Sequence, residues 1–268
     1  MSEELAGGRF SKPVRDGDVV RRRRGSSNSH ALLRHLEQAG FGLSPRVIDL
    51  DDETETLTYL VGTAGYPPLT ADLRSDEALV SVACAIRRLH DATEGFVPAE
   101  PGEWNDLEVA APVAIDCIGH HDLAPWNLIF DGPEVVGIID WDTVRPSNRR
   151  WDLCYAAHQF VPFHPSRWLE PFGWPEEPDR ARRLRLFCDA YGLDVQPAEL
   201  VDLIGIRLLS HAANIEQQIK AGNPAYDVHR DEDHAGGYRA AVAYILANRA
   251  QLLGGEGPDE GQVAGEGG

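Results

Sequence analysis

The sequence predicts an α+β fold in two lobes, a small antiparallel sheet followed by a larger helical part, and three observations carry that reading. Short β-patterned runs bounded by turn residues crowd into residues 1–60 around a single amphipathic stretch. From Glu77 onward apolar residues recur at helical spacing. One hairpin, Leu128 to Ile139, interrupts that helical part. A chain of 268 residues, 43% hydrophobic and 25% charged, can bury a sizeable core and lies far from collagen-like or disordered compositions.

In chain order, Gly7-Gly8 makes a turn, Asp16-Gly17-Asp18 is a hairpin signal, and Val19-Val20-Arg21-Arg22 is the strand that leaves it. Ser29 is placed to cap a helix whose Leu32, Leu33, Leu36 and Ala39 share one face, with Gly40 as its stop. Arg46–Leu50 and Thr56–Leu60 flank the turn residues Asp51 and Asp52 and complete the sheet, and Gly62 to Pro68 reads as a linker. A helix over Glu77–Thr93 then aligns Leu79, Val82, Ala83, Ile86 and Leu89 on one stripe, and a long loop runs to Ala114. Leu128–Phe130 and Val135–Ile139 are strands joined through Asp131-Gly132-Pro133. Three helices close the chain, Pro178–Tyr191, Pro197–Ala221 with proline in its first turn, and Gly237–Leu252. The division is therefore an N-lobe over 1–62, a C-lobe over 63–253 and a disordered Gly- and acid-rich tail over 254–268.

Charge narrows the partners. With 43 acidic and 25 basic side chains the net charge is −18, a field that repels nucleic acid and anionic membrane surfaces. The run Arg21 to Arg24 does not reverse this, because alternation sends Arg21 and Arg23 to one side of a strand and Arg22 and Arg24 to the other. Cys84, Cys117, Cys154 and Cys188 are widely spaced and form no C-x-x-C pair, which argues against a zinc site or a disulfide framework and for a reduced, cytoplasmic protein. The start carries no apolar signal core, and no run approaches the ~18 residues a membrane span needs. No G-x-x-x-x-G-K-[ST] stretch is present, which excludes a P-loop enzyme.

The stretch richest in chemistry is His120-His121-Asp122-Leu123-Ala124-Pro125-Trp126-Asn127, followed after the hairpin by Ile139-Asp140-Trp141-Asp142. Asp122 and Asn127 lie on one loop and Asp140 ends the returning strand, so three oxygen-bearing groups can converge at one mouth. A hard cation such as magnesium takes such ligands, a few protein oxygens completed by substrate phosphates, and a carboxylate left uncoordinated can receive a proton. Trp126, Trp141 and Trp151 are read as packing around the loop, His121 as loop filler, and His211, beside Ile204, Leu208 and Ile215, as a core or cleft histidine.

These residues resemble the aminoglycoside phosphotransferase and choline kinase family, which has a protein-kinase-like fold and an H-x-D-x-x-x-x-N loop. His120, Asp122 and Asn127 fill that pattern, Asp140 fills the place of the following metal-binding aspartate, and Trp151-Asp152-Leu153 resembles the family's later helix start. The resemblance implies an ATP- and magnesium-dependent transfer of a phosphoryl group to a hydroxyl of a small molecule, with an aminoglycoside or another cationic antibiotic as the first guess at the acceptor. It implies that Asp122 is the catalytic base, that Asn127 and Asp140 hold the metal, that His120 braces the loop and that Asp152 supports its backbone from below. It puts the Thr58 carbonyl and the Leu60 amide against adenine, and Gly7-Gly8 in the place of a reduced glycine loop. Where the family carries a Val-x-Lys strand this chain has Val19-Val20-Arg21, so Arg21 is assigned to the ATP phosphates. The helix position for the lysine's glutamate partner is taken by His30, and Glu37 comes late in the helix.

The lost lysine and glutamate motivate a rival reading, a nucleotide-binding or interaction module that keeps the fold without turnover. Retention of Asp122, Asn127 and Asp140 together argues against it. The acidic Asp227, Asp231, Glu232 and Asp233 are read either as a solvated loop or as a contact for a cationic acceptor, the latter through Asp231, Glu232 and Asp233.

Overall fold

The computed structural model describes residues 3–5, 13–105, 114–192 and 194–255. Gly7, Gly8 and nearly all of the expected tail, residues 256–268, lie outside the described residues. The first part contains β1 (Glu3–Glu4), β2 (Val14–Asp16), β3 (Val19–Arg23), α1 (Ser27–Gln38), β4 (Val47–Leu50) and β5 (Thr54–Thr58). Its strands form one antiparallel sheet in the order β1-β2-β3-β5-β4, as the sequence predicts. Gly17, at φ 61°, turns β2 into β3, and β3 then pairs with β5 so that Arg22 stands opposite Glu55.

Helix α1 starts earlier than expected. Its cap is Ser26, whose Oγ accepts the Ser29 N–H at 3.2 Å, while the Ser29 hydroxyl donates to the Ser26 carbonyl at 2.8 Å. The first turn, Ser27-Asn28-Ser29, has no apolar residue and so adds nothing to the stripe from which the helix was read. Leu32, Leu33 and Leu36 do enter the core, and Gly40 follows the last turn at φ 73°.

The second part contains β6 (Thr63–Ala64), α2 (Ala71–Arg74), α3 (Asp76–Ala92), β7 (Cys117–Gly119), β8 (Leu128–Asp131), β9 (Glu134–Ile138) and β10 (Arg145–Ser147). It continues through α4 (Arg149–Phe160), α5 (Arg180–Tyr191), α6 (Pro197–Lys220), α7 (Asp227–Asp231) and α8 (His234–Leu252). The expected linker holds β6, which adds Thr63 and Ala64 to the edge of the β8-β9 hairpin opposite Phe130 and Ile129. A two-residue strand is too short to show an alternating pattern. Helix α4 escaped periodicity for the opposite reason: Trp151 through Phe160 are all buried, and a helix buried on every side has no stripe.

Helix α3 lies beneath the hairpin, and its Ser81 hydroxyl accepts the Val135 N–H at 2.8 Å. Its stripe of Leu79, Val82, Ala83, Ile86 and Leu89 is buried as predicted, against α5 and the hairpin. Among the links that carry the first part onto the second, the Ile138 N–H of β9 donates to the Leu43 carbonyl at 2.7 Å, and Gly137 leaves room for the Leu60 side chain. The four cysteines are free thiols, three of them buried. Among the described residues no helix is long and apolar enough to cross a membrane.

Because Ile86 is 0% exposed at the centre of this core, Ile86→Ala is expected to cost about 2–5 kcal/mol of stability. Urea unfolding checks this, as a lower midpoint with an unchanged slope.

Candidate active site

The loop over 120–127 is built on a buried carboxylate. Asp152, in the first turn of α4, is 0% exposed and accepts the His120 N–H on Oδ2 at 2.9 Å and the His121 N–H on Oδ1 at 2.6 Å. His90, at the end of α3, donates from Nε2 to the same Oδ2 at 3.0 Å, and its Nδ1 lies 2.7 Å from the Tyr191 hydroxyl. Burial alone would raise the Asp152 carboxyl, but the His90 hydrogen bond and the neighbouring histidines hold it well below the usual carboxylate range. Gly119 allows the approach: a Cβ there would lie 2.8 Å from the Ser147 Cβ and 3.1 Å from the Asp152 carboxyl carbon.

The carboxylate also holds an unusual backbone in place. His121 has φ 67°, a region that non-glycine residues enter at a cost of about 1–3 kcal/mol. Its amide is held by Asp152, and its carbonyl accepts from Arg207 of α6 at 3.0 Å. Arg207 is itself 0% exposed, with its guanidinium 5.1 Å from the centre of the Trp151 ring. Burial and the Arg207 charge lower His121 to about 3, so its imidazole is neutral. The residue is loop structure, in agreement with its reading as filler.

On this frame the three expected oxygen-bearing residues come together around one peptide. The Ile139 N–H donates to the Asn127 carbonyl at 2.9 Å, and the Ile139 carbonyl accepts from His120 Nε2 at 3.0 Å. Asp140 therefore leaves β9 directly beside Asn127, with φ 63°. Asn127 Nδ2 donates to the Asp122 carbonyl at 2.9 Å and to Asp122 Oδ2 at 2.8 Å. That bond orients the Asp122 carboxylate and commits the amide nitrogen, so the Asn127 Oδ1 is the atom left for a cation.

Burial, and then the like charge of Asp142, push the Asp140 carboxyl above its usual range, with Arg22 opposing. Crowded carboxylates of this kind favour a bound cation. Among the described residues no three His, Cys, Asp or Glu side chains are grouped as a metal cage. The Asn127 Oδ1 and the Asp140 carboxylate are oxygen donors that fit a hard ion completed by substrate oxygens, the donor chemistry of magnesium.

The arginine that faces inward is Arg22, not the expected Arg21. Arg21 is exposed on the outer face of β3, whereas Arg22 is 9% exposed and points into the cleft. Arg22 Nε donates to Glu55 Oε1 at 2.6 Å, Nη2 to Asp142 Oδ1 at 2.7 Å, and Nη1 lies 3.5 Å from Asp140 Oδ1. The expectation placed Arg21 inward because Val19-Val20 was matched to the family's Val-x-Lys without fixing the strand register. Register with β5 decides it, since Arg22 and Glu55 are paired residues whose side chains share a face. The signal was present in Thr54–Thr58, where Glu55 alternates with the threonines on the same face as Leu57. A carboxylate on an apolar face calls for a buried cation opposite.

At the lobe junction the Thr58 N–H donates to the Arg46 carbonyl at 3.0 Å and its Oγ1 accepts the Arg46 N–H at 2.9 Å, tying the end of β5 to β4. Leu60 follows, half-buried against Gly137. The acidic segment is engaged locally: Asp231 with Arg230 at 3.0 Å, Glu232 with His234 at 2.8 Å, and Asp233 as the cap of α8. Beyond it, α8 brings the Tyr238 hydroxyl to 3.4 Å from that of Tyr155. Tyr155 is buried, and burial, then Tyr238 and the Asp122 charge, raise its phenol well above its ordinary value. His211 is buried and stacks on Tyr238 with ring centres 5.4 Å apart, within its reading as a core or cleft histidine. Sequence reading missed Arg22, Glu55, His90, Arg207 and Tyr155, which belong to elements remote in the chain.

The model of the phosphotransferase enzyme family matches residues 99–187, which include the loop, the hairpin and α4. Over 201 residues the chain is 35% identical to the trifolitoxin immunity protein of Rhizobium leguminosarum bv. trifolii, covering 72% of this chain and 76% of that protein. The chain belongs to the phosphotransferase enzyme family. Solved structures show the same fold. A choline/ethanolamine kinase family protein from Mesorhizobium loti superposes with TM-score 0.64 at 19% identity, over 95% of this chain and 91% of that one. A putative aminoglycoside phosphotransferase from Ralstonia eutropha JMP134 gives TM-score 0.60 at 13% identity, over 92% of each chain. The resemblance to aminoglycoside phosphotransferases and choline kinases is thus borne out, and with it the two-lobed, protein-kinase-like fold.

The depressed Asp152 carboxyl has a consequence for stability. A carboxyl whose folded pKa lies below its unfolded value of about 3.9 stabilises the protein above that value, and the contribution fades as pH falls toward the folded pKa. Asp152→Asn is expected to melt below the parent at pH 7 and to lose less of its melting temperature than the parent between about pH 5 and pH 2. Parallel acid profiles in the two proteins would show that Asp152 is not ionised in the fold.

Proposed function

We propose that this protein transfers the γ-phosphoryl group of ATP, with magnesium, to a hydroxyl of a small molecule, and that the acceptor is an antibiotic or toxin. The observation that carries the reaction is the grouping of Asp122, Asn127 and Asp140 around the Ile139 peptide. Asp122, oriented by the Asn127 amide, is placed to orient the acceptor hydroxyl and take its proton. Asn127 Oδ1 and Asp140 would hold magnesium, which supplies charge neutralisation on the phosphates when bound. Arg22 adds a second positive charge from above the cleft, with its Nη atoms turned toward Asp142 and Asp140.

Support for the acceptor class comes from the name of a relative, the trifolitoxin immunity protein, and from a structural neighbour, APH(2")-IIa, solved in complex with gentamicin. The net charge of −18 suits a cationic acceptor. The non-catalytic reading rested on a missing lysine and glutamate, and Arg22 with Glu55 supplies both charges from other positions. Magnesium-dependent ATP consumption with a panel of hydroxylated antibiotics tests the proposal. Absence of acceptor-stimulated turnover across the panel, with nucleotide binding intact, would favour the non-catalytic reading.

Asp122→Asn keeps the shape of the loop and loses the base. It is expected to lower kcat on the best acceptor to below about a tenth of the parent while leaving nucleotide affinity close to unchanged.

Calorimetry of nucleotide with and without magnesium separates the two metal positions. Asp140→Ala is expected to abolish the magnesium-dependent part of binding, and Asn127→Ala to weaken it less, because a carboxylate brings charge that an amide oxygen lacks. Equal metal dependence in Asp140→Ala and parent would remove Asp140 from the site.

A further inference from the structure

We propose that Glu55 is a positioning residue for phosphoryl transfer, fixing the Arg22 guanidinium at the phosphate end of the cleft and coupling it, through His30, to helix α1. The proposal rests on the phosphotransferase reading above. The two Glu55 oxygens divide their work. Oε1 accepts from Arg22 Nε at 2.6 Å, whereas Oε2 accepts from the Gly25 N–H at 2.8 Å and from His30 Nε2 at 2.5 Å. Glu55 is 1% exposed, so this carboxylate is held by protein donors from β3, the loop that follows it and α1 rather than by water.

Helix α1 offers no substitute. Its one carboxylate, Glu37, lies at the far end, where it faces Arg46 at 3.9 Å.

The geometry also accounts for arginine at this position. A guanidinium has five donors fixed in one plane, so it can be clamped at Nε while both Nη groups remain aimed elsewhere. Here Glu55 takes Nε, and the Nη groups face Asp142 at 2.7 Å and Asp140 at 3.5 Å. A lysine ammonium held by the same carboxylate would be drawn toward β5 and away from the cleft. Strand pairing makes the clamp rigid, because Arg22 and Glu55 are cross-strand partners in β3 and β5. His30 is the adjustable part, since it belongs to α1 and reaches Glu55 across 25 residues of chain. A displacement of α1 therefore changes how Glu55 holds Arg22.

The experiment compares Glu55→Gln, Arg22→Gln, the double variant, and Glu55→Gln combined with His30→Glu, which returns a carboxylate from the helix. ATP and acceptor KM, kcat and calorimetric nucleotide affinity are measured on each. Glu55→Gln is expected to raise the ATP KM and weaken nucleotide binding by about tenfold or more, with the acceptor KM unchanged. Added to Arg22→Gln it should have little further effect, and His30→Glu should recover a substantial part of the loss.

An ATP KM within about twofold of the parent in folded Glu55→Gln, or full additivity with Arg22→Gln, overturns the proposal. If Glu55→Gln does not fold, His30 decides. His30→Leu should raise the ATP KM at least about threefold and His30→Gln, which keeps a donor, should not. Equal values in those two variants overturn the proposal. A parent that binds no nucleotide overturns both this and the phosphotransferase reading, whereas a competent parent with an indifferent Glu55 overturns this alone.

Discussion

The buried Asp152 carboxylate is the interaction on which the site depends, because it turns a segment with no regular structure of its own into a fixed platform. It accepts two successive backbone amides, from His120 and His121, and a third bond from His90. An ionised carboxylate out of reach of solvent is costly unless its lone pairs are filled, and here they are filled by the loop it must hold. The demand works in both directions: Asp152 needs the loop's N–H groups, and His121 tolerates φ 67° because Asp152 and Arg207 grip its two peptides. His120 then reaches the Ile139 carbonyl and sets Asp140 beside Asn127. The arrangement of the mouth is thus inherited from a group that is itself fully buried.

A second buried arrangement, Arg22 with Glu55, does the corresponding work for the sheet. It lies between β3 and β5 but reaches Asp142 and Asp140, so the same guanidinium links the two lobes. Burial alone would raise the Glu55 carboxyl, yet the His30 hydrogen bond and the Arg22 charge hold it down to about 2, and it remains charged throughout the physiological range. With the Asp140 carboxyl raised and that of Glu55 lowered, one cluster contains a carboxylate already satisfied by protein and another that favours a further cation.

Much of the fold was legible because it obeys a period. The stripes of α1, α3 and α6, the hairpin turn at Asp131-Gly132 and the Asp16-Gly17 turn all lie where alternation, helical spacing and turn chemistry put them. Elements without a period were not legible in this way: β6 is two residues long, α4 is buried all round, and the first turn of α1 is entirely polar. The loop residues His120, Asp122 and Asn127 were legible as a spacing, and Asp140 as its distance from them. Their convergence needed the bonds through Ile139.

By itself, the sequence determined the two-lobed α+β class, the family, and which side chains on the loop and hairpin could carry chemistry, since these follow from local spacing and composition. Only the tertiary structure decided that Arg22 rather than Arg21 faces the cleft, and that its carboxylate comes from β5 instead of α1. The physical reason is that a strand has two faces and its sequence does not say which one is inside. Pairing with a distant strand chooses the face, and a buried charge takes its partner from whatever element the fold brings opposite it.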